Sequence, residues 1–306
     1  MRLSSASEEV LQVKRFRTIP LVLCGICGGL LNAQASKSAA DDPAMQADRA
    51  LQMSYAKGDT ATIKKLLDDE FRWIDKDGIL YERSDALRAN LKPLVPMSAD
   101  TKITEHQYGK VVWIQHNVEH KFAAYFWVQR PQGWRLLHVN EIEARPAVAG
   151  ENSRPTFTVP CMNPCKELPW KPLSTTEKEA IEGWQDQESG TGRRLMHMGD
   201  HVFTITSNSM NPQQTVPSSG PTKVEPPTSE HPFISTTPAV YVKTWDFGDT
   251  VVAIMLQPTW GGKPYWSSRV FANHNGFWKM EESYHTTIQA APRMQYVPDQ
   301  KWDARN

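Results

Sequence analysis

An internal repeat constrains the fold of this chain more than any other feature of the sequence. Residues 108–112 (YGKVV) are matched by residues 247–252 (FGDTVV), and residues 133–136 (GWRL) by residues 276–280 (GFWKM). Both halves have the same order: an aromatic-glycine turn, an apolar strand, an aromatic-rich strand, a glycine turn, and a strand led by tryptophan and a cation. Two matches in one order indicate a duplicated structural unit.

The length of 306 residues fits two domains, which the repeat divides. We predict a signal peptide in residues 1–35, a first domain in residues 42–145, a proline-rich linker in residues 146–174, a second domain in residues 175–291 and a polar tail in residues 292–306. Where the first domain has a helix, the second has residues 211–238, which are rich in Pro, Ser and Thr. Such a segment cannot bury enough apolar surface to order itself, so we expect a disordered insertion there.

The N-terminus has the pattern of an export signal. Lys14, Arg15 and Arg17 precede an apolar run over residues 19–31, and a small-residue Ala-Gln-Ala sequence ends at Ala35. The run is short for a membrane span, and its three glycines weaken the alternative of a buried helix. A lipoprotein anchor is disfavoured because large residues precede both cysteines of the run. We expect cleavage after Ala35 and a periplasmic or extracellular protein.

Hydrophobic periodicity predicts an α+β fold in each half. Helical spacing comes first, and alternating, hairpin-linked strands follow it. Positive and negative side chains balance, with 34 Lys and Arg against 34 Asp and Glu. This balance argues against a nucleic-acid partner and, after signal cleavage, against a polybasic membrane surface.

Three motifs of the first half resemble the nuclear-transport-factor-2-like (NTF2-like) superfamily, and in particular its bacterial SnoaL-like and DUF4440-type members. They are AKGD at residues 56–59 before a helix, FRWIDKDG at residues 71–78, and GWRLLH at residues 133–138. The resemblance covers residues 42–145 well and residues 175–291 more loosely. It implies two cone-shaped domains, each a strongly curved antiparallel sheet packed with N-terminal helices around a concave pocket, and no cofactor.

The superfamily includes isomerases, cyclases, dehydratases, association subunits and binding modules, so its fold does not decide function. A ketosteroid-isomerase-like reaction needs a carboxylate base and a donor for the enolate oxygen. Asp75 and Tyr81 have this chemistry, but an aspartate in a DKDG sequence also has an ordinary use in turn formation. The second half has Thr206 and Ser207 near the corresponding place.

Alternation along the strands suggests which side chains line the pockets. His138 and Asn140 alternate with Trp134 and Leu136 on the last strand of the first half, so the four are expected to share a face. His138 is the second candidate catalytic residue. Aromatic and polar side chains in these positions are the candidate ligand-binding residues: Trp73, Tyr81, Tyr125, Trp127, His138, Asn140, Trp266, Glu282 and Tyr284. The alternative is that all of them fill a core.

After signal cleavage, Cys161 and Cys165 are the remaining cysteines. In an oxidising compartment such a pair forms a local disulfide, or it stays as two free thiols. The spacing does not match a Cys-x-x-Cys redox motif, and the sequence nearby offers no further zinc ligands.

Two histidine pairs have the spacing of metal ligands, but neither has a suitable context. His116 and His120 span a predicted strand turn, and His197 and His201 flank a Gly-Asp sequence where a helix should end. Each pair also lacks a third ligand, so we expect no metal site.

These observations favour an exported tandem NTF2-like protein that acts as a small-molecule-binding or assembly module. Its expected partners are a small apolar ligand and either its own second domain or another copy of the chain. The alternative is a SnoaL-like or ketosteroid-isomerase-like isomerase or lyase, which acts on a small apolar substrate in the first cone.

Overall fold

The computed structural model describes residues 42–145, 170–188, 198–206, 213–217, 239, 241–257 and 263–292. The first half consists of α1 (Pro43–Lys57), α2 (Thr60–Leu66), β1 (Leu67–Ile74), β2 (Leu80–Glu82), α3 (Arg83–Ala89), β3 (Lys102–Tyr108), β4 (Val111–Val118), β5 (Lys121–Arg130) and β6 (Gly133–Glu143). The second half consists of α4 (Thr175–Glu188), β7 (Met198–Thr206), β8 (Gln213–Pro217), β9 (Tyr241–Asp246), β10 (Thr250–Gln257), β11 (Tyr265–His274) and β12 (Phe277–Thr287).

Capping residues define the first two helices. The Asp42 side chain accepts a hydrogen bond from the Ala44 N–H at 2.7 Å, and Pro43 occupies the first turn, where its missing N–H costs nothing. Gly58 ends α1 in the left-handed conformation at φ 69°, and Asp59 caps α2 through the Thr62 N–H. The local sequence therefore sets the helix–turn–helix that precedes the first sheet.

The strands form two six-stranded sheets, with the orders β2-β1-β6-β5-β4-β3 and β8-β7-β12-β11-β10-β9. These two orders are the same when the strands of each half are numbered from its own start. The prediction of antiparallel sheets is wrong for one strand pair in each, because β1 pairs with β6, and β7 with β12, in parallel. No short hairpin joins the two strands of either pair, so nothing local forces them to be antiparallel.

Each sheet is bent by a β-bulge in its last strand. In β6, Phe126 pairs with His138 while Trp127 pairs with Leu136, which leaves Leu137 as the extra residue. In β12 the same shift leaves Glu281 as the extra residue. Both extra residues lie three positions after the tryptophan of the repeat. Because a bulge bends its strand and increases the local twist, the two sheets are bent at equivalent places.

Side chains from the strands pack into three hydrophobic clusters. In the first sheet, Val112 and Ile114 face α1 and α2 in the first helix-side cluster, while Val111 and Trp113 face the second sheet in the inter-sheet cluster. The second helix-side cluster joins α4 to the other face of the second sheet, and Trp184 is at its centre. Each sheet thus has one face on its own helices and one face on the other sheet.

Three further points bear on the predictions. The strand β8 lies inside the segment that the sequence predicts to be a disordered insertion, where its backbone is paired antiparallel with β7. The rest of that insertion, the signal peptide and residues 293–306 of the tail lie outside the described residues. Among the residues that are described, no helix is long and apolar enough to cross a bilayer.

Candidate functional site

A pocket opens between α1, the segment that follows α3, and the start of β3. Its volume is about 790 Å³, within the range of small-molecule sites. Most of the lining is apolar, and the polar side chains are few. The lining residues are Arg49, Gln52, Met53, Tyr55, Ala56, Lys92, Pro93, Pro96, Met97, Ser98, Thr101 and Ile103.

Gln52 and Tyr55 connect this pocket to the interior of the first half. Both line the pocket, yet both are almost completely buried, with 4% and 9% of their surface exposed. The Tyr55 ring meets the edge of Trp73 with a centroid distance of 6.1 Å. Burial raises the pKa of Tyr55, so its hydroxyl stays protonated and can donate a hydrogen bond.

A cluster of polar side chains is buried on the helix-side face of the first sheet. Asp48 on α1 lies 2.9 Å from the Nε2 atom of His116 on β4, and both side chains are fully buried. The indole N–H of Trp127 donates to the other oxygen of Asp48 at 3.2 Å. The Tyr125 ring lies against His116 at a centroid distance of 4.7 Å. These contacts link the helix to the centre of the sheet through buried polar side chains.

Glu141 is the second buried acid on this side of the sheet. One of its oxygens accepts the backbone N–H of Leu94 at 2.7 Å, in the segment that lines the pocket. Burial raises the pKa of Glu141 to about 8, because desolvation outweighs the hydrogen bond from Leu94. Near neutral pH the carboxyl group is therefore largely protonated and can act as a hydrogen-bond donor.

Asp75 is engaged in the turn between β1 and β2. One of its oxygens accepts the backbone N–H groups of Asp77 and Ile79 at 3.0 and 2.8 Å. The other accepts the Tyr81 hydroxyl at 3.3 Å. The structure thus brings the two predicted partners together, and their contacts are those of a turn-forming aspartate.

His138 and Asn140 do not share a face with Leu136, so that part of the prediction is wrong. The bulge at Leu137 reverses the alternation of β6, which turns both side chains toward the second sheet. There, His138 Nε2 and Asn140 Nδ2 each lie 2.7 Å from the Ser268 hydroxyl. Burial lowers the pKa of His138 to about 3, so the ring is neutral.

The candidate residues of the second half also lie between the two sheets. The Trp266 indole donates to the backbone oxygen of Gly78 at 3.0 Å, and the Tyr284 hydroxyl donates to Gln115. Glu282 accepts the Tyr108 hydroxyl at 2.6 Å and lies 2.6 Å from His106 Nδ1. The bulge at Glu281 produces this placement, just as the bulge in β6 does for His138.

Other polar side chains occupy the helix-side face of the second sheet. The Arg269 guanidinium donates to Gln257 at 3.1 Å and lies 5.2 Å from the centre of the Trp184 ring. The Ser267 hydroxyl donates to the same glutamine oxygen at 2.7 Å. Burial lowers the pKa of the neighbouring His285 to about 3.

The remaining predictions concern metals and cysteines. In the part of the chain that the structure describes, no three His, Cys, Asp or Glu side chains are grouped so that they could hold a metal ion. Cys161 and Cys165 lie outside the described residues.

The sequence predicted Trp73, Tyr125 and Trp127 as ligand-binding residues of a concave pocket, and all three are buried in the first helix-side cluster. None of them lines the pocket. The signal that was missed is in α1, where Asp48 and Gln52 are four residues apart and lie on the face that carries the buried Leu51. Polar residues at core positions of a helix need polar partners in the interior, so they indicate a buried polar cluster.

No protein-family model and no curated protein matches this sequence. Similar solved structures include an NTF2-like protein from Cytophaga hutchinsonii ATCC 33406, with 13% identity and a TM-score of 0.24 over 32% of this chain and 92% of the other. An NTF2-like protein of unknown function in nutrient uptake from Rhodospirillum rubrum ATCC 11170 has 17% identity and a TM-score of 0.26 over 33% of this chain and 97% of the other. A protein with a cystatin-like fold from Caulobacter vibrioides has 16% identity and a TM-score of 0.25 over 32% of this chain and 85% of the other.

Proposed function

We propose that this protein binds a small, mainly apolar molecule in the pocket beside α1. The observation that carries the proposal is an open space of about 790 Å³ whose lining is mostly apolar and includes the buried Gln52 and Tyr55. A pocket of this size with a few convergent polar groups is typical of ligand sites.

A thermal-shift screen against apolar metabolites tests this proposal. A ligand present at one hundred times its Kd stabilises the folded state by about 2.7 kcal/mol. Ala56→Trp places a large ring in the pocket and should abolish the shift. The matched control, Ala61→Trp, adds the same ring on the exposed surface of α2 and should leave it intact. Equal shifts in both variants would place the ligand elsewhere.

A second function, an isomerase or lyase, is favoured by one observation. Glu141 is a largely protonated carboxyl group held by the segment that lines the pocket, and such a group can donate a hydrogen bond to a developing enolate. If the protein converts an apolar unsaturated ketone, Glu141→Gln should lower turnover by at least a hundredfold while His138→Ala has a much smaller effect. Equal activity of Glu141→Gln and the unmodified protein would remove Glu141 from the chemistry.

We also propose that the two halves are tandem NTF2-like domains that pack as the subunits of a dimer would. The support is the identical strand order of the two sheets, the equivalent bulges at Leu137 and Glu281, and the inter-sheet cluster. Export with cleavage after Ala35 completes the proposal. N-terminal sequencing of the mature protein would contradict it if the leader were retained.

A further inference from the structure

The charged side chains of the pocket lining have one sign. Arg49 on α1 and Lys92 after α3 both line the pocket, and no aspartate or glutamate does so. The other polar lining residues are neutral: two hydroxyls on Ser98 and Thr101, and the buried glutamine and tyrosine. The pocket therefore combines apolar surface with two positive charges.

Neither cation is neutralised within the described part of the chain. Arg49 and Lys92 make no salt bridge with any described residue, and both side chains are exposed. The charge of Glu105 on β3 interacts with that of Arg49, but the two side chains form no salt bridge.

The apolar part of the rim is unusually exposed. Met53, Met97 and Ile103 have 55%, 39% and 37% of their surface exposed, and all three line the pocket. Large apolar side chains that cluster at the mouth of a cavity are a common feature of ligand and partner sites. Methionine in particular adapts its shape to different apolar ligands.

We propose that the pocket takes an amphipathic anion, a molecule with an apolar chain or ring and a single carboxylate. The apolar part covers Met53, Met97 and Ile103, and the carboxylate is held by Arg49 and Lys92. An arginine fork and a lysine ammonium are the usual protein groups for this anion. This inference names the ligand class of the proposed binding site and rests on that proposal.

Octanoate and octanamide distinguish charge recognition from simple apolar binding, because they share one chain and differ in charge. Isothermal titration of the full chain at low ionic strength should give octanoate about tenfold tighter binding than octanamide, as expected for two exposed charge pairs. The preference should disappear in the double variant Arg49→Gln/Lys92→Gln. It should persist in Lys57→Gln, which removes a cation from α1 outside the pocket. Added salt should weaken octanoate binding selectively.

The outcomes separate this inference from the binding proposal on which it rests. Equal affinities for the two ligands, or an octanoate preference that survives in the double variant, would overturn the anion assignment and leave the pocket as an apolar site. If neither ligand bound and the apolar library gave no thermal shift, both proposals would fail together.

Discussion

At the scale of residues, one position of the repeat carries different chemistry in the two halves. His138 and Glu282 each follow the repeat tryptophan by four positions, and each faces the opposite sheet. His138 is neutral and bonds to a serine, whereas Glu282 is a buried acid bonded to His106 and Tyr108. Burial raises the pKa of Glu282 to about 7, and its hydrogen bond to His106 raises the pKa of that ring.

Both of these shifts predict the same pH dependence. An acid and a histidine whose folded pKa values are raised stabilise the fold at low pH, and this contribution is lost as the pH rises through the folded values. The usual pKa of the Glu282 side chain is 4.5, so the loss should occur mainly from about pH 5 to beyond pH 7. Glu282→Gln should remove this pH-dependent contribution. The free energy of unfolding should then depend less on pH between 5 and 8 than in the unmodified protein.

Urea unfolding at several pH values measures this difference. Glu182→Gln is a suitable control, since Glu182 lies on the surface of α4 in an exposed pair with Lys178. It should follow the unmodified protein at every pH. Parallel curves for Glu282→Gln and the unmodified protein would show that the buried acid does not titrate in this range.

At the scale of elements, the turn between β1 and β2 is a contact point between the halves. Gly78 has a φ of 78°, and its backbone oxygen accepts the Trp266 indole N–H. The backbone oxygen of the neighbouring Asp77 accepts the backbone N–H of Gln289 at 2.9 Å. Asp77-Gly78 is a local turn signal, but the contact of this turn with the second half arises only in the tertiary structure.

The position of Gly78 predicts a large effect of a single methyl group. A Cβ there would lie 2.7 Å from the Ile288 Cα and 2.8 Å from the Thr287 oxygen, so backbone would have to move. Gly78→Ala should therefore cost about 3 kcal/mol or more of unfolding free energy. Gly58→Ala is the matched control, because Gly58 also has a positive φ but open space around it. It should cost only about 1 kcal/mol by chemical denaturation. Equal losses of unfolding free energy in the two variants would show that the close approach of Gly78 to residues 287 and 288 does not affect stability.

At the scale of the whole molecule, the inter-sheet cluster belongs to both halves. Trp113 and Phe126 from the first sheet pack with Trp245, Trp266 and Tyr284 from the second. The first half alone would expose this apolar face to water, as would the second. The contact is a hydrophobic core with hydrogen bonds, which resembles an obligate interface more than a transient one.

This shared core predicts that the halves remain associated without a covalent link. A protease site inserted within residues 146–169 of the predicted linker should allow cleavage into two fragments that coelute in native size-exclusion chromatography. Burial of the large aromatic side chains supplies the association energy. The same cleaved sample should separate in denaturing urea, which verifies the cut. Separate elution under native conditions would show that the linker, and not the core, holds the halves together.

Local sequence was sufficient for much of the fold. Strand β4 covers residues 111–118, because Gly109 and the turn at residues 119–120 bound an apolar run. The end of α1 at Gly58 and the cap of α2 at Asp59 were equally local. The pocket was harder to foresee, since it combines α1 with a loop and a strand start that are distant in sequence.

The amino-acid order by itself determined the succession of helices and strands and the internal repeat, because caps, turns and alternation act over a few residues. Only the tertiary structure decided which face each side chain of the last strands occupies. One extra residue in β6 and one in β12 reverse the alternation, and a bulge depends on the pairing of neighbouring strands. This is why His138, Asn140, Glu282 and Tyr284 join the two sheets instead of lining a pocket.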